Sequence, residues 1–245
     1  MTKKIDINCD MGESYYDKKI GNDSKIMPYI TSCNIACGFH GGDPNTIKKT
    51  IELAIEYDVK IGAHPSFFDL EGFGRRKVDL ELNELESIIL YQVSALKGIT
   101  ESYGKKLHHV KPHGALYNSA AKNKDLAKII CNVVKTINPE MPIMCLAGSP
   151  MVSVIQNMGL KPISEAFADR TYEGDGSLRK RTLSKALIVD PIEAAKQAKC
   201  IFLQKKVVAY DGSEVKINSQ TLCIHSDTPN ALEIAKKIKH ELLVY

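Results

Sequence analysis

The sequence predicts an α/β fold in which about seven parallel strands close into a barrel. Three observations carry that prediction. Short apolar runs alternate with amphipathic segments of 3.6-residue period along the whole chain, and a parallel connection needs a helical crossover. The runs fall at roughly 4–9, 32–38, 59–63, 108–112, 142–147, 162–167 and 221–225. All but the fifth run into reactive side chains, as expected where the strands of a βα barrel meet their C-terminal loops. A length of 245 residues with 44% hydrophobic content fits one domain over residues 1–245.

The first run alternates apolar and polar residues and stops at Asp10, Gly12 and Glu13. The second, Ser32 to Phe39, leads to His40. A helix follows, with Asp43 as N-cap, Pro44 at its first position, and Ile47, Ile51, Ala54 and Ile55 as its apolar stripe. Lys60 to Ala63 leads to His64. A long loop from Ser66 to Asp79 then carries Gly72-Phe73-Gly74-Arg75-Arg76. Leu85, Ile89, Val93 and Leu96 mark a second helix. His109 and Val110 lead to Lys111, Pro112 and His113, and Leu126, Ile130 and Val134 mark a third helix.

Ser149-Pro150, Asp190-Pro191 and Thr228-Pro229 repeat the cap-then-proline helix start. Between them, Pro162 to Ala168 leads to Asp169 and Arg170 and into a second long loop, Asp169 to Leu187. Loops of this length in a compact domain are commonly functional, and both are expected to cover a substrate. Leu222 to Ile224 leads to His225 and Asp227, and the last helix carries Ala231, Ile234, Ala235, Ile238 and Leu242.

The bulk numbers exclude several classes. A net charge of +4 without a basic cluster is not that of a nucleic-acid binder. The seven cysteines form no CxxC pair and lie mostly in apolar runs, so they read as small buried hydrophobes in a reducing compartment. Lys3 and Lys4 precede no apolar signal region, and no run approaches the roughly 20 residues of a membrane span. A cytoplasmic location is expected. There is no GxxxxGK[ST] phosphate loop, no strand-linked GxGxxG and no GxSxG elbow.

The strand ends supply the candidate chemistry. Asp10 and Glu13 offer a general base or hard metal ligands. Asp10, His40 and His64 form a possible Asp-His-His set for a divalent metal or a proton relay. Lys111 with His113 can neutralise a carboxylate, phosphate or oxyanion. Asp169 adds an acid, and Arg170 a planar donor. Arg75 and Arg76 are of a kind more often solvent-facing, and either can take a role, with Arg75 the candidate for substrate binding; His225 with Asp227 or Thr228 either serves the site or caps the last helix. His108 and His109 open a strand, so they are expected at the opposite end in a structural role. His240 is expected to be exposed on the last helix.

The strand-end segments resemble the LamB/YcsF family, the A component of prokaryotic ATP-dependent 5-oxoprolinase. The matching stretches are Asn8 to Ser14, Asn34 to His40 with Gly42-Asp43-Pro44, Ile61 to Ser66, Gly72 to Arg76, Val110 to Tyr117, Glu165 to Arg170 and Cys223 to Asp227. Two departures stand out: Tyr16 and Lys185 occupy positions where the family pattern tends to have glycine. The resemblance implies a (β/α)7-like barrel similar to the glycoside hydrolase/deacetylase superfamily, whose deacetylases use an Asp-His-His metal set. It implies the reaction 5-oxo-L-proline + ATP + 2 H2O → L-glutamate + ADP + phosphate. It also implies partner subunits B and C that handle most of the ATP chemistry. Two alternatives remain open, a stand-alone metal-dependent amidohydrolase or deacetylase and a non-catalytic regulatory subunit.

Overall fold

The structure, a computed structural model, describes residues 5–243; Lys3, Lys4 and the first residue of the expected strand 4–9 lie outside them. Strand β1 (Asp6–Met11) is followed by a short helix α1 (Asp23–Ile26) that runs into a 3-10 turn (Met27–Tyr29). Then come β2 (Ser32–Ala36), α2 (Pro44–Glu56), β3 (Lys60–His64), α3 (Leu82–Ser102), β4 (His109–Val110), α4 (Gly114–Lys122) and α5 (Lys124–Ile137). Next are β5 (Ile143–Leu146), α6 (Pro150–Asn157), β6 (Pro162–Phe167) and α7 (Pro191–Lys199), which a π turn (Cys200–Gln204) extends. The chain ends with β7 (Lys206–Val208), β8 (Glu214–Lys216), β9 (Thr221–His225) and α8 (Ala231–Leu243).

Seven strands close in the order β1-β2-β3-β4-β5-β6-β9, with β9 pairing back on β1, and every pair in the barrel is parallel. This is the expected (β/α)7-like barrel. The expected strand 108–112 shortens to two residues, and β7 with β8 forms an antiparallel hairpin outside the barrel. Among the described residues, no helix is long and apolar enough to cross a membrane.

Strand side chains alternate between the two faces. Ile7, Cys9, Met11, Cys33, Ile35, Ile61, Ala63, Val110, Leu222 and Ile224 belong to the buried hydrophobic core. The alternate set contains Asn8, Asp10, Asn34, His64, His109, Glu165, Thr221 and His225, all polar and all buried. Several of these bond to one another between neighbouring strands: Asn8 Nδ2 donates to Thr221 Oγ1 at 2.8 Å, and Asn34 Nδ2 donates to Asn8 Oδ1 and Asp10 Oδ1 at 2.8 Å each. A barrel interior is more often filled with branched aliphatic side chains. Here it is a hydrogen-bonded polar stack, because buried polar groups need partners and these supply one another.

His109 corrects an expectation. His108 sits half-buried near the strand start, but His109 is fully buried inside the barrel, its Nε2 2.7 Å from Asn34 Oδ1. Gly62 makes the room: a Cβ there would fall 2.1 Å from His109 Nε2.

Helix starts follow the caps in part. Asp43 accepts from the amides of Asn45 and Thr46, and Asp190 from those of Ile192 and Glu193. Ser149 precedes α6 without a side-chain cap. Thr228 does not cap α8, which begins only at Ala231; its hydroxyl donates to Asp169 Oδ2 at 2.8 Å instead. The short helix α4 was not expected. His240 is exposed. All seven cysteines are free, and all but Cys200 are buried. Tyr16 and Lys185 have φ of 49° and 57°. Their backbone is therefore left-handed, which accounts for the glycine preference at both positions.

Candidate active site

The deepest layer of the site centres on Lys111, which leaves β4 with its ammonium fully inside the barrel. Its Nζ lies 2.8 Å from Asp10 Oδ1, 2.9 Å from Glu165 Oε1, 3.1 Å from Cys223 Sγ and 3.3 Å from Asn8 Oδ1. Burial alone would strip its proton, but Asp10, Cys223 and Glu165 outweigh burial and hold its pKa well above the ordinary lysine value. Burial likewise opposes charge on Asp10. His64, Lys111 and His225 outweigh it and keep that carboxyl well below the usual range. The result is a buried, ionised Lys–Asp pair.

Above that pair sits a layer of imidazoles. His64 Nδ1 donates to the Lys111 carbonyl at 2.7 Å, so its Nε2 faces Asp10 Oδ2 at 3.2 Å and His113 Nδ1 at 2.9 Å. His113 Nε2 donates to the Phe73 carbonyl at 2.9 Å. His40 stacks on His113 with ring centroids 3.7 Å apart. His40 Nδ1 lies 2.9 Å from Ser66 Oγ, whose own proton goes to the Phe67 carbonyl, and its Nε2 meets Glu13 Oε1 at 3.2 Å. Burial pushes the pKa of His40 and His113 down, with help from the neighbouring imidazoles. Burial pushes Glu13 well up, reinforced by Asp10 and Asp227. A protonated Glu13 is then a donor to the bare His40 Nε2.

Donor atoms of Glu13, His40, His64 and His113 lie within 4.8 Å of one another. In each ring one nitrogen is tied to a carbonyl or hydroxyl and the other is turned inward. Such outer partners fix the tautomer of metal-ligating histidines. The donor set fits a divalent ion, but it differs from the expected Asp10–His40–His64 set. Glu13 and His113 complete the group, while Asp10 falls in a second group with Cys223 and His225.

The loops after the strands shape the mouth. Phe73 and Gly74, on the loop after β3, reach over the imidazoles: Phe73 meets His40 and His113 edge-on at 5.5 and 5.3 Å. A Cβ on Gly74 would strike His113 Cδ2 at 2.8 Å and His40 Cβ at 2.9 Å, and its φ is +64°. Both facts require glycine. A cleft of about 350 Å³ opens beside Glu13 and His40, with Tyr15, Lys18 and Leu70 on its walls.

The remaining expected residues fall into three positions. Asp169 stands behind His225, accepting from its backbone amide at 2.9 Å and lying 3.0 Å from its Nδ1. His225 Nε2 then lies 3.9 Å from Asp10 Oδ2. Against burial, these His225 contacts and Thr228 lower the Asp169 pKa to about 2. Arg75 pairs with Asp227 at the mouth, whereas Arg76 lies outside and pairs with Asp69 and Glu71. Arg170 turns away from the cluster and donates to the Ala186 and Arg179 carbonyls at 3.3 and 2.6 Å, bracing the loop after β6. Sequence reasoning missed Ser66, Asn8, Asn34 and Glu165. The signal for three of them was the period-2 placement of Asn8 before Asp10, Asn34 before Ala36, and Glu165 before Phe167 on the inward face.

The chain is a closed seven-stranded βα barrel with acid, base and imidazole groups gathered at its strand ends. The LamB/YcsF family model matches residues 5–244, and the chain belongs to that family. The chain is 49% identical to the A component of 5-oxoprolinase from Shouchella clausii, over 97% of this chain and 94% of that protein. It is 46% identical to the corresponding 5-oxoprolinase component of Tolumonas auensis, over 98% and 96%. The lactam utilization protein of Thermus thermophilus superposes with a TM-score of 0.93 at 42% identity, covering 99% of this chain and 97% of that one.

Proposed function

We propose that this chain is the ring-opening subunit of an ATP-dependent 5-oxoprolinase, acting with B and C subunits that phosphorylate the lactam oxygen. The observation that carries this reading is the buried Asp10–Lys111 pair directly beneath His64, in a chain nearly half identical to proteins named as the A component of 5-oxoprolinase. A lactam is a resonance-stabilised amide, and phosphorylation of its oxygen makes the ring carbon a better electrophile.

In this mechanism water adds to the ring carbon while His64 Nε2 takes its first proton, with Asp10 Oδ2 beside that nitrogen to stabilise the imidazolium. The C–N bond then breaks, and both protons of the water end on the departing nitrogen, one of them by way of His64. The product is an acyl phosphate, which a second water hydrolyses to glutamate and phosphate. Lys111 keeps Asp10 ionised and oriented, Asp169 orients His225 toward Asp10, and His40 and His113 orient the reacting groups. Were a divalent ion held instead by Glu13, His40, His64 and His113, it would occupy His64 Nε2 and supply Lewis-acid polarisation of the reacting oxygen, and Asp10 would be left to take the proton of the water.

The test is glutamate formation from 5-oxo-L-proline and ATP by the purified chain with and without its partner subunits. Glutamate is expected only when the subunits are combined. Glutamate formed equally well by the partners alone removes the proposal. The three-imidazole donor set supports a second reading, metal-dependent amide hydrolysis by the lone chain. That reading requires stoichiometric metal and turnover without ATP.

A further inference from the structure

We infer that Arg75 and Arg181, brought together by Asp227, form with Lys18 a clamp for an oxyanion at the barrel mouth, and that the clamp takes the carboxylate of the lactam substrate. The second clause rests on the ring-opening reading above.

The three cations come from three loops. Lys18 follows β1, Arg75 follows β3 and Arg181 follows β6. Asp227 Oδ2 accepts from Arg75 Nη2 and lies 3.7 Å from Arg181 Nη1. One carboxylate thus holds two guanidinium groups, which leaves a surplus positive charge where the two long loops meet. At 3.7 Å the Arg181 pair is electrostatic, and among the described residues its guanidinium makes no hydrogen bond. Its fork of donors is therefore available to a ligand. The Lys18 ammonium makes no ion pair among the described residues and stands 5.8 Å from the centre of the Phe73 ring; Arg75 lies 4.7 Å from the same ring. Phe73 in turn touches His40 and His113, so the cations border the imidazole layer. Lys18 also shares the 350 Å³ cleft with Glu13 and His40.

This placement matches the shape of the ligand. In 5-oxoproline the carboxylate sits on the carbon next to the ring nitrogen. Anchoring it fixes the direction of the C–N bond that must break. Paired arginine forks are the side chains best suited to a planar carboxylate. Lys111 is spent on Asp10 and Glu165, and Arg170 is buried with its Nε and Nη2 turned to the carbonyls of the loop after β6.

The test compares 5-oxo-L-proline with 2-pyrrolidinone, the same lactam without a carboxylate, and with inorganic phosphate. Each is titrated by ligand-detected NMR into the purified chain and its Arg75→Gln and Arg181→Gln variants, with circular dichroism to confirm folding. 5-Oxo-L-proline should bind about 10- to 100-fold more weakly to each variant. 2-Pyrrolidinone should bind all three proteins alike. Unchanged 5-oxo-L-proline affinity in folded variants, or equal losses for both lactams, overturns the inference. If neither lactam binds the unaltered chain but phosphate binds and loses its affinity in both variants, the clamp stands and the lactam reading falls.

Discussion

His64 Nε2 and His113 Nδ1 face each other across 2.9 Å, and the opposite nitrogen of each ring is committed to a backbone carbonyl. In two neutral rings with those tautomers, the facing atoms both carry lone pairs. Such a contact is favourable only when a cation sits at it, either a proton or a metal ion. Asp10 Oδ2 at 3.2 Å from His64 adds negative charge at the same place.

Metal titration checks the metal alternative. Calorimetry with Zn2+ or Mn2+ should show one ion per chain, with affinity reduced about 10- to 100-fold or more in His113→Ala and in His40→Ala. A chain that binds no divalent ion leaves the position to a proton and removes the metal-dependent reading.

Lys111 holds the charges of the barrel interior in balance. Lys111→Met leaves Asp10 and Glu165 buried without their counter-ion, so it should cost about 3–5 kcal/mol of stability. Adding Glu165→Gln should recover part of that loss by removing one of the two carboxylates. Urea denaturation measures both; a Lys111→Met chain as stable as the unaltered one would show that the ammonium does not stabilise the two carboxylates.

Gly62 and His109 occupy one space. Gly62→Ala drives a methyl into the imidazole and should destabilise by about 1–3 kcal/mol. Combined with His109→Ala, the same change should cost much less, so the double-mutant cycle has a large coupling term. Additive losses would mean that the clash lies elsewhere.

Asp169 gives the chain a pH-dependent term. Its pKa is lowered to about 2 in the folded state, chiefly by His225 once burial is overcome. A depressed carboxyl pKa stabilises the fold above the unfolded value near 4, and that contribution fades as pH falls toward 2. The shift corresponds to roughly 2 kcal/mol. Acid titration of stability should therefore show the unaltered chain and Asp169→Asn differing by about that amount near pH 6 and converging near pH 2. A gap that persists at pH 2 would assign the effect to packing.

The barrel was legible because its signals are local and repeated: an apolar run, a reactive strand end, then a capped helix. Asp43 and Asp190 mark helix starts unambiguously because their side chains are spent on backbone amides. Thr228 carries the same signal, but a tertiary partner, Asp169, takes its hydroxyl. The convergence of Asp10, His40, His64, Lys111 and His113 followed from topology alone. Their division of labour did not. Whether Arg170 faces a ligand or a carbonyl, and whether Glu13 joins the imidazoles, depends on loop paths that no sequence period encodes. The interior position of His109 was hidden because β4 has only two residues, too few to display an alternation.

The most direct measurement is the rate of glutamate formation from 5-oxo-L-proline and ATP by the assembled subunits, with this chain supplied as Asp10→Asn or His64→Ala. Both variants should retain the circular dichroism of the unaltered chain and lose about 100-fold or more of the turnover. Folded variants that sustain the full rate would show that the gathered strand-end groups do not perform the ring opening.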